Sequence, residues 1–248
     1  MEKKKNKIRD YEEFHRNTLS QVRIINRNNF TYRIILNVIS RYLEPRKKIL
    51  DIGCGAGTIS LHLASKGHTV CGIDISSNAI KSCRESAKKL GIEKNADFKV
   101  MNFPNKIPNE KFNFILLIEV IEHLKNDSLA LRKIYSLLSK GGIAIISTPS
   151  KNAPMHKLGL AKTFDRKVGH LRRYAMDELV NKCKLVGFEI VETKKTEGII
   201  RNFLFLNPIV GKSIRFIKFF IADIVTLIDE ISLKLFGESD IFVVVKKP

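Results

Sequence analysis

Residues Ile49-Leu50-Asp51-Ile52-Gly53-Cys54-Gly55-Ala56-Gly57-Thr58 decide the fold. A short apolar run breaks into three alternating glycines and then into a helical pattern, which reads as strand, tight turn and helix. Glycine takes the positive φ such a turn demands, and without a Cβ it lets backbone N–H groups approach a ligand at the positive end of the next helix. The stretch therefore predicts a nucleotide-sized pocket. It departs from the dinucleotide fingerprint G-x-G-x-x-G, because Thr58 stands where the third glycine belongs and Gly57 falls one position early. Asp51, two residues before the first glycine, suits an ammonium group and would repel a pyrophosphate. Thr69-Val70-Cys71-Gly72-Ile73-Asp74 reads as a second strand ending in an acid placed to accept hydrogen bonds from both ribose hydroxyls. The expected ligand is phosphate-poor, carries an amine and contains a ribose, which sets a nicotinamide-dependent enzyme well down the order.

Leu50-Asp51-Ile52-Gly53-Cys54-Gly55-Ala56-Gly57 followed by Asp74 resembles the first motif and the second-strand acid of the class I S-adenosylmethionine-dependent methyltransferases. The resemblance continues through Phe112-Asn113-Phe114-Ile115-Leu116-Leu117-Ile118-Glu119-Val120-Ile121-Glu122-His123-Leu124, Leu137-Leu138-Ser139-Lys140-Gly141-Gly142 and Gly169-His170-Leu171-Arg172-Arg173-Tyr174, over roughly residues 45 to 195. It implies that S-adenosylmethionine is the cofactor. Asp51, Gly53, Cys54, Gly55 and Gly57 would hold its methionine part, and Asp74 with Ile75 its ribose. Asn102 would meet the adenine and Glu119 the methionine end. Many members have an acid where this chain has Asn102; an amide still accepts the adenine hydrogen bond. Asn113 replaces the common Asp of the Phe-Asp pair before the fourth strand.

The net charge of +19 over 248 residues is unevenly distributed. Residues 1–48 carry 13 Lys and Arg against five acids, and residues 151–218 carry 15 against six, whereas residues 219–248 carry three against five. The excess lies outside the cofactor core and favours an anionic partner: a phospholipid surface, a phosphorylated small molecule or RNA. A lysine-rich surface that serves solubility is the plainer account. The hydrophobic fraction of 44% belongs to a globular chain. Cys54, Cys71, Cys83 and Cys183 form no C-x-x-C pair and no metal-finger spacing, so free thiols in a reducing cytoplasm are expected. The amino terminus has no apolar core of a signal peptide.

The pattern predicts an α/β fold, a Rossmann-like seven-stranded, mostly parallel sheet with helices on both faces and an antiparallel last strand. Strands are expected near 48–52, 69–74, 97–101, 112–118, 143–148, 188–194 and 240–246, and helices near 57–66, 77–90, 127–139 and 175–186. Residues 1–44 form an expected helical lid, helical over 8–43, with Tyr11, Phe14 and His15 as its contacts; residues 45–248 form the catalytic domain. An insertion at 198–238 contains an amphipathic helix candidate with apolar residues at 214, 217, 220 or 221, 224, 228 and 231. Lys212, Arg215, Lys218 and Asp223 interrupt it too often for a membrane span. It is either a cap packed over the substrate or a peripheral membrane contact of a cytoplasmic protein.

Methyl transfer from a sulfonium is an in-line displacement that needs alignment and exclusion of water, and a hydroxyl acceptor also needs a base. His123, after the fourth strand, and His170, in the loop before the helix at 175–186, are the candidate bases; each is equally readable as a packing residue. Glu119, Glu122 and His123 make an E-x-x-E-H pattern that resembles the corresponding segment of quinone-biosynthesis O-methyltransferases. On a helical turn these three would point to one side and be able to hold a divalent metal. The favoured alternative leaves Glu119 at the cofactor and has Glu122 and His123 bond the neighbouring helix. Arg172, Arg173 and Tyr174 put two guanidinium groups and a phenol where an anionic head group is gripped, or else form a salt-bridged loop. The expected activity is methyl transfer to oxygen on a small or lipid-like acceptor. An RNA methyltransferase is the rival, disfavoured because Glu119-Val120-Ile121-Glu122 stands where base methylation commonly uses N/D-P-P-Y/F/W. A protein that binds the cofactor without turnover is the third reading.

Overall fold

A computed structural model describes residues 11–13, 15–16, 18–26, 29–206 and 219–248, with the backbone alone at 205 and 219–223. Seven strands form one sheet in the order β3-β2-β1-β4-β5-β7-β6. They are β1 (Lys48–Ile52), β2 (Thr69–Asp74), β3 (Ala96–Val100), β4 (Phe112–Ile118), β5 (Leu138–Pro149), β6 (Glu189–Thr196) and β7 (Asp240–Lys246). β1 pairs in parallel with β2 and β4, β2 with β3, while β6 runs antiparallel to β7. The expected sheet is present, with its strands within a few residues of the expected positions except that β5 begins earlier.

Two compact units make up the chain: Met1–Leu117 with Arg132–Ala144 and Lys247–Pro248, and Ile118–Leu131 with Ile145–Lys246. In the first, the central strands are continuous apolar runs, as strands covered on both faces must be. Ile49, Leu50, Ile52, Ile73, Phe112, Phe114, Ile115 and Leu117 are all buried. Helices α1 (Arg33–Tyr42), α2 (Thr58–Ser65) and α3 (Ser77–Lys89) belong to this unit. The Ser76 hydroxyl caps α3 by accepting from the Ala79 N–H over 3.2 Å.

The helix expected over 8–43 is confined to α1 and a short turn near residues 11–13 among the described residues. Residues 18–26 are instead an irregular strap whose polar groups are satisfied by other elements. Gln21 N–H donates to Ser86 Oγ, its side-chain amide donates to Ala56 O and Thr58 Oγ1, and Ile25 O accepts from the His62 ring. Asn29 then accepts from the N–H groups of Thr31 and Tyr32, which starts the chain towards α1. Such tertiary bonding outweighs a weak helical periodicity.

The second unit holds α4 (Asp127–Leu137) in part, α5 (Pro154–Lys157), α6 (Lys162–Val168), α7 (Met176–Val186), α8 (Ile199–Leu206) and α9 (Phe219–Phe236), with β6 and β7. β7 buries Ile241, Phe242, Val243, Val244 and Val245 in succession, whereas β6, at the sheet edge, alternates exposed and half-buried residues and carries Glu192, Lys194 and Lys195. Charge on an edge strand keeps it from pairing with another chain. The helices α5 and α6 were not anticipated; both are short, and Pro154 in the first turn of α5 was their one start signal. Phe14, Lys212, Arg215, Lys218 and the apolar residues at 214 and 217 lie outside the described residues.

Candidate active site

Strand β1 delivers the glycine turn of the first unit. Gly53 and Cys54 N–H both donate to Ile73 O, at 2.8 and 3.1 Å, which folds the loop back over the end of β2. Gly53, Gly55 and Gly57 have φ of 72°, 52° and 75°, the left-handed region. Gly57 is required twice over, because a Cβ there would also lie 2.8 Å from Cys83 Sγ. Asp74 ends β2 with both carboxylate oxygens engaged, Oδ2 accepting from Gly55 N–H and Oδ1 from Ser76 N–H, each over 2.9 Å. Ile75 separates Asp74 from the α3 cap. Met101 N–H donates to Asp74 O, so β3 brings the neighbouring Asn102 to the same end of the sheet.

Asp51 is 3% exposed and accepts from Ser60 Oγ over 2.6 Å. Burial pushes its carboxyl up to about 6, against the Ser60 hydrogen bond and with added repulsion from Asp74. Asp51 is buried near Asp74 at the base of this turn, and a bound cation would relieve both the burial of one and their mutual repulsion. This is the fit expected for a ligand that joins a positive amine and sulfonium to a ribose. Residues from the amino-terminal segment border the same loop. Glu12 accepts from Ser76 Oγ, Ser77 N–H, Ser77 Oγ and Asn78 N–H over 2.7–3.1 Å at the start of α3, and His15 Cε1 lies 3.8 Å from where a Gly55 Cβ would be.

The second unit brings together a different set. Glu119 directly follows β4 at φ 55°, a conformation rare outside glycine, and accepts from Ser147 Oγ over 2.6 Å. That turn separates it from Glu122 and His123, which lie in a single 3-10 turn (Ile121–His123). Glu122 is fully buried, accepting from Thr148 Oγ1 over 3.0 Å through one oxygen while Oε1 has no hydrogen-bond partner. Burial, reinforced by Glu119, raises its carboxyl well above the usual range. The Nε2 atoms of His123 and His170 lie 3.7 and 3.8 Å from that oxygen, and the two rings meet edge to face at 4.8 Å. His123 Nδ1 donates to Gly169 O over 3.1 Å, because a carbonyl can only accept.

The cluster is thus Glu122, His123 and His170, with ligand atoms within 4.8 Å of one another, and differs from the Glu119, Glu122 and His123 set that the linear pattern offered as its less favoured reading. Glu122 bonds strand β5 through Thr148, and His123 bonds the carbonyl of Gly169 at the end of α6. The three side chains are able to hold a divalent cation or, without one, to share a proton.

Asp165, which the sequence did not single out, organises the loop. It accepts from His170 Nδ1 over 2.9 Å and from Arg173 Nε and one terminal NH₂ over 2.9 and 2.6 Å. Burial alone would raise its carboxyl, but His170 and Arg173 hold it well below the usual range. Arg173 is buried on this pairing. Tyr174 has no exposed surface and donates its hydroxyl to Asp127 over 2.7 Å. Arg172 also reaches Asp127, over 2.9 Å, and is one-third exposed. The salt-bridged alternative for this segment describes what Arg173 and Tyr174 do; Arg172 is the guanidinium still facing solvent.

With this geometry in hand, the comparisons with known proteins identify the class. A family described as a methyltransferase domain matches residues 26–193, and the chain belongs to it. It is an S-adenosylmethionine-dependent methyltransferase of the Rossmann-like class I fold. It is 31% identical over 128 residues to a ubiquinone biosynthesis O-methyltransferase of Rickettsia canadensis, covering 51% of this chain and 53% of that protein. The chain spans about half the length of the curated relatives it matches. Among solved structures, phosphoethanolamine N-methyltransferase 2 of Haemonchus contortus in complex with S-adenosyl-L-methionine is similar at a TM-score of 0.67 and 18% identity, over 88% of this chain and 53% of that one. The [4+2]-cyclase SpnF is similar at a TM-score of 0.63 and 19% identity, over 87% and 81%. Such likeness defines the fold and leaves the reaction to the residues of the site.

Proposed function

We propose that this protein methylates a hydroxyl oxygen on a small, lipid-like acceptor, with His170 as the base. The observation that carries the reading is the Asp165–His170 hydrogen bond. It puts the proton of the imidazole on Nδ1 and so leaves Nε2 as the basic nitrogen, beside buried Glu122. Relatives named ubiquinone biosynthesis O-methyltransferase support an oxygen acceptor of this class.

When bound, S-adenosylmethionine supplies a methyl group on positive sulfur. Asp74 and the glycine turn would hold its ribose and methionine parts, Asp51 would answer the positive charge of the methionine part, and Asn102 would accept from the adenine amine. Ile75 and Cys54 line the loop they belong to, and Glu119 would meet the methionine end. His170 takes the acceptor hydroxyl proton, Asp165 stabilises the imidazolium that forms, and His123 with Glu122 disperses the proton. Arg172 steers the acceptor. Glu12 and His15 act as part of a lid over the glycine turn. The protein works in the cytoplasm on an acceptor drawn from a membrane.

Incubation with methyl-labelled S-adenosylmethionine and a cell extract, followed by separation of lipid, small-molecule, RNA and protein fractions, tests the reading. Base-stable O-methyl label in the lipid or small-molecule fraction is expected. Label in RNA would overturn the acceptor class, and cofactor binding without any transfer would overturn turnover itself.

A further inference from the structure

The amino-terminal segment reaches the cofactor end of its own unit at two places. At the glycine turn, the Gln21 side-chain amide donates to Ala56 O and to Thr58 Oγ1, each over 2.9 Å. The peptide between Ala56 and Gly57 is thereby held at both ends, because Gly57 N–H donates to Cys54 O over 2.8 Å. Cys83 Sγ holds the preceding carbonyl, that of Gly55, over 3.1 Å. Two neighbouring acceptors call for two donors on one side chain, and a primary amide has them. At the start of α3, Ser76 is shared: its N–H donates to Asp74 Oδ1 and its hydroxyl to Glu12 Oε2, each over 2.9 Å. Glu12 takes three further bonds from Ser77 and Asn78. Burial would raise its carboxyl, but these bonds hold it below the usual range, so it stays an acceptor.

The turn needs such support. Gly55 and Gly57 flank Ala56 with no Cβ to restrict their backbones, so the turn by itself resists a flip of the Ala56–Gly57 peptide only weakly. A flip would break the Gln21 and Cys54 bonds together and point the Ala56 carbonyl the other way. Helix α2 has no side-chain cap to steady its start, because Gly57 is the residue before it. Gln21 is itself anchored, its N–H donating over 2.8 Å to Ser86 Oγ on α3, while Ile25 O accepts from His62 on α2 over 2.8 Å. Ser86 is fully buried, and its hydroxyl is fixed by donating to Ser82 O over 2.7 Å. The strap thus spans the two helices that follow the glycine turn and Asp74.

We propose that Gln21 and Glu12 are positioning residues for S-adenosylmethionine, setting the glycine turn and the Asp74 carboxylate in their ligand-binding arrangement before the ligand arrives. Ordering a glycine turn during binding costs conformational entropy, and a strap that orders it beforehand removes that cost from the binding step. Gln21 acts on the methionine side through Ala56 and Thr58, and Glu12 on the ribose side through Ser76. Neither touches the reacting atoms. The inference rests on the reading of the turn and Asp74 as the cofactor's seat, and is independent of the acceptor and of His170.

The test is calorimetric titration of the full chain with S-adenosylmethionine, for the natural sequence and for Gln21→Ala, Gln21→Glu, Glu12→Gln and Asp74→Ala. Gln21→Ala should weaken binding about 10-fold, through the loss of two neutral hydrogen bonds. Gln21→Glu keeps the length of the side chain but its carboxylate only accepts, so it should lose at least as much. Glu12→Gln keeps the shape without the charge and should lose about 3- to 10-fold. Hydrogen exchange of the unliganded chain reads the turn itself. The N–H groups of Gly55, Gly57 and Leu61, all bonded in the natural chain, should exchange about 10-fold faster in Gln21→Ala while those of β1 and β4 keep their natural rate. A general loss of stability would speed all of them alike, and that result would overturn the positioning role. Natural affinity in Gln21→Glu would mean that packing alone matters and would overturn it too. Natural affinity in Gln21→Ala and Glu12→Gln beside a weakened Asp74→Ala would overturn the strap's role and leave the seat intact. Natural affinity in Asp74→Ala would overturn the reading of the seat, and the Glu12 half of the proposal with it.

Discussion

His170 Nδ1 lies 2.9 Å from Asp165 Oδ1, and the same carboxylate takes two hydrogen bonds from Arg173. An ionised carboxylate can only accept, so the imidazole proton sits on Nδ1 and the basic electron pair is directed from Nε2. On the proposed function, Asp165 positions His170.

Asp165→Asn leaves a hydrogen-bonding shape but removes the charge. It should lower kcat by about 10- to 100-fold at neutral pH, a share of the roughly 10²–10⁴ that acid–base catalysis contributes. Cofactor Kd should not change. Parallel measurement of kcat and cofactor Kd checks this, and equal loss of both would mean that the loop had collapsed.

Asp127 should govern part of the acid stability. Burial would raise its carboxyl, but Tyr174, Lys182 and Arg172 overcome this and hold it at about 2, below its ordinary 3.8. A depressed folded value stabilises above the unfolded one, so the contribution is complete above pH 4 and is lost as pH falls towards 2. Thermal melts from pH 6 to pH 2 should show a steeper fall for the natural chain than for Asp127→Asn.

Gly57→Ala places a Cβ 2.8 Å from Cys83 Sγ at a φ of 75°. A destabilisation of about 1–3 kcal/mol is expected from the left-handed strain and the overlap together. Denaturant unfolding measures it; an unchanged midpoint would show that the loop has room to shift.

Asp74→Ala removes the proposed ribose acceptor and frees Gly55 and Ser76 N–H. Hydrogen bonds to a charged group contribute about 1.5–3 kcal/mol, so S-adenosylmethionine should bind about 10- to 100-fold more weakly. Titration calorimetry reads this directly.

The sheet and the glycine turn were legible because they are local: apolar runs such as Phe112–Ile118 and alternating glycines carry their conformation in their own residues. The acid–base cluster was not. Glu122 and His170 are 48 positions apart, and no linear pattern says that the loop after α6 returns to the turn after β4. The E-x-x-E-H spacing misled because Glu119 adopts a left-handed backbone that takes it out of the turn holding Glu122 and His123. Residues 18–26 misled for the opposite reason, since their periodic apolar residues are drawn into an irregular strap by Ser86, Thr58 and His62. Arg173 and Tyr174 look like ligand-binding groups in sequence; the acids that claim them lie eight and 47 residues away.

The most direct measurement is kcat for methyl transfer to the acceptor that the labelling experiment identifies, by the natural chain and by His170→Ala, with cofactor Kd alongside. A fall of about 100-fold or more in kcat at unchanged Kd is the result this account requires. Turnover by His170→Ala at the natural rate would contradict it and move the base elsewhere.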